Sequence, residues 1–234
     1  MSAASRLYVA LDFPDAATAR TLAEQLAPLG VGLKLGLQLF TAEGPDLVRE
    51  IASKSDLFLD LKFHDIPNTV AGAVSSVAGL GAAVTNIHVS GGEAMCCAAV
   101  DARDAAASSM KLIGVTVLTS MGDEDLGRLW NAPLDASASA LRLAELAKDW
   151  GLDGVVASAK EASAIRAACG DDFLIVTPGI RPAGGDVGDQ KRVLTPAEAL
   201  RAGSSHLVVG RPVNQAADPA AACEAILEEM KGSR

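Results

Sequence analysis

The chain has 234 residues, 50% of them hydrophobic and 21% charged, which is enough apolar material for one sizeable core. Its net charge of -9 argues against a general nucleic-acid binder, and 3% aromatic residues leave too few rings for a base-stacking platform. An anionic substrate would have to be held by local Lys, Arg and backbone N–H groups, because the overall field repels it.

Apolar runs that read as strands begin near Leu7, Val31, Leu57, Ala83, Lys111, Asp153, Phe173 and His206. Stretches of helical composition lie between most of them: 16–29, 93–107, 137–150, 196–202 and 219–231. The last two open with Pro196 and Pro219, which suit a first helical turn. Eight strands alternating with helices imply a parallel sheet, and eight is the number that closes a (β/α)8 TIM barrel. The expected fold is therefore α/β, with residues 1–234 forming a single domain, since no linker or composition break divides the chain. An open doubly wound sheet is the alternative; no G-x-G-x-x-G follows the first strand, which counts mildly against it.

No run approaches the roughly 18 apolar residues that a membrane span needs, and Met1 to Arg6 carry no apolar signal segment. The expected location is cytoplasmic. The four cysteines, Cys96, Cys97, Cys169 and Cys223, form no C-x-x-C pair and no Cys/His spacing for zinc, so inert thiols are expected.

The most informative stretch is Asp60-Leu61-Lys62-Phe63-His64-Asp65-Ile66-Pro67-Asn68-Thr69. It follows Leu57-Phe58-Leu59, a buried strand running out into charges. Alternation along a strand would point Asp60 and Lys62 the same way, with Asp65 three residues beyond. Pro67 disfavours helical backbone at Ile66, so the strand should end near there and a helix follow. A surface ion pair is the bland reading. A lysine between two acids at the end of a buried strand is costly unless each charge is paired, which favours a catalytic one.

In a barrel the chemistry lies at the carboxyl ends of the strands. The residues expected there are Asp12, Lys34, the Asp60 cluster, His88, Thr119 and Ser120, Thr177 to Arg181, and Gly210 with Arg211. Gly179 and Gly210 would let backbone N–H groups approach a phosphate between the last two strands, with Arg211 adding a bidentate charge. Two loops, 121–135 and 181–195, exceed what a barrel needs. The second holds Gly184-Gly185-Asp186-Val187-Gly188 and could be either a lid or simply disordered. His64, His88 and His206 read as structural.

Taken together, five segments resemble the orotidine 5′-phosphate decarboxylase family: 10–12, 33–36, 60–69, 177–181 and 208–211. The continuation of D-x-K-x-x-D into Ile66-Pro67-Asn68-Thr69 is the most specific of them. The resemblance implies decarboxylation of orotidine 5′-monophosphate to uridine 5′-monophosphate, the last step of pyrimidine nucleotide synthesis. It further implies a βα barrel and a homodimer, with no metal and no organic cofactor.

The resemblance also implies roles. Lys62 would be the cation and proton donor at C6, with Asp60 near the departing carboxylate. Lys34 and the partner subunit's Asp65 would complete an alternating array of charges. Thr69 would likewise cross the interface. Asp12, and also Lys34, would take ribose hydroxyls. Thr119 and Ser120 would face the pyrimidine edge. Arg181, Gln190, Gly210 and Arg211 would hold the phosphate, and Ile66 and Pro178 join the binding set. Two alternatives stay open: a metal-dependent sugar-phosphate decarboxylase or lyase of the same superfamily, and a non-catalytic nucleotide-binding barrel.

Overall fold

In the computed structural model, which describes residues 2–182 and 194–232, every expected strand forms within a residue or so of its expected start. In chain order the elements are β1 (Leu7–Ala10), α1 (Ala16–Leu26), β2 (Gly32–Gly36), α2 (Leu37–Glu43), α3 (Pro45–Ala52), β3 (Leu57–Phe63), α4 (Pro67–Ala78) and β4 (Val84–His88). There follow α5 (Glu93–Ala105), β5 (Lys111–Val115), α6 (Asp123–Trp130), α7 (Ala136–Asp149), β6 (Gly154–Val156) and α8 (Ala159–Cys169). The last are β7 (Leu174–Thr177), α9 (Pro196–Arg201), β8 (His206–Val209), α10 (Arg211–Asn214) and α11 (Pro219–Lys231). The strands pair in parallel in sequence order, and β8 closes on β1. The open-sheet alternative is thereby overruled.

Strand alternation builds two cores. Leu57, Leu59 and Leu61 of β3 pack outward among the helices, together with Leu33, Leu35 and Ile87. Tyr8, Phe58, Val84, Ile113, Val176 and Val208 fill the barrel interior. Tyr8 and Phe58 meet edge-to-face with ring centroids 5.8 Å apart, a favoured aromatic geometry. Above this apolar plug, toward the strands' carboxyl ends, the inward side chains turn polar. Lys34, Asp60 and Asn86 are all buried there.

Helix starts follow their local chemistry. Asp15, Asp135 and Asp218 each accept an N–H from the first turn of α1, α7 and α11. Pro67 occupies the first turn of α4, and Ile66 before it has ψ 153°, the extended backbone that a following proline imposes.

The loop reading of 121–135 needs correction, because it contains α6. Asp123, Glu124 and Asp125 lie in its first turn and Arg128 in its last, matching the helix macrodipole. Asn131 ends it in the left-handed region at φ 50°. Leu126 packs with Val117, Ala136 and Ala140 in a small separate core. The helices α2, α3 and α8 were also not foreseen. The stretch 184–188 and Gln190 lie outside the described residues. No described helix is long and apolar enough to cross a membrane.

Candidate active site

Four charges of alternating sign run along the mouth of the barrel. Asp12 Oδ1 accepts from Lys34 Nζ at 3.1 Å, and the same ammonium lies 3.4 Å from Asp60 Oδ2. Lys62 Nζ then donates to Asp60 Oδ1 at 2.6 Å. Asp60 and Lys34 side chains are each only 11% exposed, while Lys62 is 30% exposed. The inner pair is therefore shielded, and the outer ammonium can meet a ligand. Burial pushes the Asp60 carboxyl up. Lys34, Lys62 and the hydrogen bonds from Lys62 and Asn86 outweigh burial and hold it below the usual carboxylate value.

Alternation alone does not place Lys62. The ladder between β3 and β4 pairs Leu59 with Thr85 and resumes only at Phe63 with Ile87. Three residues of β3, Asp60 to Lys62, therefore face the single Asn86 of β4, a bulge. Lys62 sits in it at φ 52°, a left-handed conformation costing on the order of 1–3 kcal/mol for a side chain of this kind. Such strain persists only where the surroundings hold it. Here Asn86 Oδ1 accepts the Lys62 N–H at 2.8 Å, and Asn86 Nδ2 donates to Asp60 Oδ1 at 2.7 Å.

A cleft opens over these charges in two joined parts sharing Lys34, Asp60, Pro178 and Val208. The smaller, about 160 Å³, is bordered by Lys62, Val117, Thr119 and Val156 and is largely apolar. The larger, about 500 Å³, is bordered by Asp12, Arg181, Gly210 and Arg211 and is mostly polar. Gly179 lines it in the left-handed region at φ 75°. A Cβ on Gly36 would stand 3.3 Å from Lys34 Nζ, so the bare backbone there leaves the ammonium its place.

Most of the expected site residues thus converge: Asp12, Lys34, Asp60, Lys62, Thr119, Pro178, Arg181, Gly210 and Arg211 all border the cleft. Three details differ from expectation. First, β5 ends at Val115, so Thr119 and Ser120 lie in the turn beyond it, and Ser120 does not line the cleft. Second, α10 is a single four-residue turn, too short to add a macrodipole, so Arg211 is the principal charge there. Third, Ile66 is exposed and outside its own chain's cleft, as are Asp65 and Thr69, which were expected to reach a partner's site and not their own. Among the described residues, the Asp65 carboxylate accepts from the Ile66 N–H at 2.6 Å and reaches no cation.

Sequence reasoning passed over Asn86 and Asn214. Asn214 borders the cleft, and its Nδ2 donates to the Ala10 carbonyl at 3.0 Å, tying the turn after β8 to the end of β1. Asn86 left one signal: an amide in a strand, two positions after Val84 and so on its inward face. His64 and His88 stack with ring centroids 5.2 Å apart beside the site. Burial, with His64 and Lys62 nearby, lowers His88 to about 4. The inert-thiol reading holds for Cys96, which is buried and pushed up to about 12 by burial and by Cys97.

Residues 5–226 match the family model described as the orotidine 5′-phosphate decarboxylase / HUMPS family. A protein of Sodalis glossinidius named orotidine 5′-phosphate decarboxylase is 52% identical over 98% of this chain and 91% of its own length. One of Alkalilimnicola ehrlichii bearing the same name is also 52% identical, over 97% of this chain and 96% of its own. The crystal structure of orotidine 5′-phosphate decarboxylase from Lactobacillus acidophilus superimposes with a TM-score of 0.86 at 40% identity, covering 97% of this chain and 99% of that one. Fold, site and similarity agree, and the chain belongs to the orotidine 5′-phosphate decarboxylase / HUMPS family.

Proposed function

We propose that this protein decarboxylates orotidine 5′-monophosphate to uridine 5′-monophosphate and CO2, the last step of pyrimidine nucleotide synthesis. The observation that carries the reading is the Asp12–Lys34–Asp60–Lys62 array at the mouth of the barrel. The relatives' names accord with it.

In this reading the pyrimidine ring enters the smaller, apolar part of the cleft, and ribose and phosphate occupy the polar part. The bond from C6 to the carboxyl carbon breaks, its electron pair stays on C6, and CO2 leaves. The Lys62 ammonium stabilises that charge, then transfers a proton to C6 and is reprotonated from solvent. Asp60 holds Lys62 in place and faces the departing carboxylate. Asp12 and Lys34 take ribose hydroxyls, and Thr119, which borders the apolar part, takes the pyrimidine edge. Arg181, Gly210 and Arg211 grip the phosphate, and Gln190, which lies outside the described residues, is the further phosphate contact that the family resemblance implies. Binding energy from the remote phosphate then favours the reactive geometry.

The working unit in this reading is a homodimer. The run His64 to Thr69 is exposed throughout, and Ile66 is 67% exposed, a large apolar side chain that a partner would cover. Asp65 and Thr69 would then complete the neighbouring site; among the described residues of its own chain Asp65 meets no cation.

Loss of orotidine 5′-monophosphate absorbance with purified protein in chelator tests the reading. Turnover to uridine 5′-monophosphate and CO2 supports it. Silence in chelator with magnesium-dependent action on a sugar phosphate would move the protein to the sister activity. Tight nucleotide binding without turnover would make it a binding protein.

A further inference from the structure

We propose that Asn86 is a positioning residue for this reaction: its single amide holds both the Asp60 carboxylate and the left-handed backbone of Lys62, and so sets where the Lys62 ammonium sits. The inference rests on the decarboxylase reading above.

The orientation of the amide follows from its partners. A backbone N–H can only donate and an ionised carboxylate can only accept, so Oδ1 must face Lys62 and Nδ2 must face Asp60. Asn86 is fully buried, so water does not substitute for either bond. Its own backbone is fixed in β4, where it pairs with Ile113 of β5. The neighbouring Thr85 hydroxyl donates to the Leu59 carbonyl at 2.9 Å, just before the bulge. Two side chains of β4 therefore satisfy backbone groups of β3 around the stretch where the ladder is interrupted.

Both ends of the amide bear on the same ammonium. Without the Oδ1 contact, the Lys62 N–H loses its acceptor and the backbone is freed to leave the left-handed region. Without the Nδ2 contact, the Asp60 carboxylate keeps Lys34 and Lys62 but loses the neutral donor that Asn86 supplies in the barrel interior. The charged and titratable groups around Asp60 are Lys34 from β2, Lys62 from its own strand and His88 from β4. Among the described residues, Asn86 is the one that supports the carboxylate without adding charge.

The test is the kinetics of Asn86→Ala and Asn86→Thr, with folding checked by circular dichroism and a wild-type control in the same buffer. Asn86→Ala is expected to lower kcat about 10²-fold, the usual scale for a small misplacement of a reacting group. KM should move less than about threefold, because the phosphate grip is untouched. The acid limb of the kcat profile should move to higher pH, since Asp60 then ionises less readily. Asn86→Thr replaces the amide's separate acceptor and donor atoms by one shorter-reaching hydroxyl, and should fall between alanine and wild type. Folded variants with kcat within about twofold of wild type and an unmoved acid limb would overturn the proposal. Failure of both variants to fold would overturn it too, making Asn86 a purely structural residue. An inactive wild type would instead fail the decarboxylase reading itself.

Discussion

Replacing Lys62 by alanine separates what that lysine does for stability from what it does for turnover. Its side chain is 30% exposed, so solvent screens part of its pairing with Asp60. After the substitution Asp60 still has Lys34 at 3.4 Å and the Asn86 amide at 2.7 Å, so no buried charge is stranded. The expected loss of stability is about 1–2 kcal/mol, a fall in Tm of roughly 2–8 °C for a chain of this size. Turnover should suffer far more. Removing one preorganised charge costs about 10²-fold or more, and removing a proton donor about as much again. Their product, about 10⁴-fold, corresponds to about 5.5 kcal/mol of transition-state stabilisation lost, about half of it electrostatic and half from proton donation. The assays are the absorbance decay of orotidine 5′-monophosphate and a thermal melt of the same preparation. A folded Lys62→Ala variant within tenfold of wild type would refute the role given to the ammonium.

Asp60→Ala and Asp65→Ala protomers, each inactive alone, should regain activity on mixing, because one of the two sites in a heterodimer is intact; no recovery after verified subunit exchange would count against a shared site. Arg211→Ala should weaken binding of uridine 5′-monophosphate about 10- to 100-fold, the scale of a lost charge-assisted hydrogen bond, and leave uridine unaffected in calorimetry. An equal effect on both ligands would remove Arg211 from the phosphate site. His88, lowered from 6.5 to about 4, stays neutral in the fold while the unfolded chain takes up its proton between those values. Stability should therefore fall as pH drops from about 6.5 toward 4, and less steeply in His88→Gln; parallel urea midpoints across that window would show that His88 is not responsible.

Much of this protein was legible in one dimension because burial leaves a periodic trace. Leu57, Phe58 and Leu59 before Asp60 marked a strand leaving the core, and Pro67 marked the start of α4, both by local steric and solvation rules. Counting such runs closed the barrel, and closure brought Asp12, Lys34, Asp60 and Arg211 to one mouth. The helix α6 was less visible because Gly122, Gly127 and Asn131 read as loop residues, although its acidic first turn and Asn131 terminus were signals in hand. The backbone at Lys62 had no local signal at all. Lysine has no preference for positive φ, and the conformation arises because β4 skips two positions against β3. The partner that holds it, Asn86, lies 24 residues further along the chain. Local periodicity can say which face a residue occupies, whereas the sign of φ at a bulge and the line of four alternating charges depend on how neighbouring strands meet. Those were decided only in the tertiary structure.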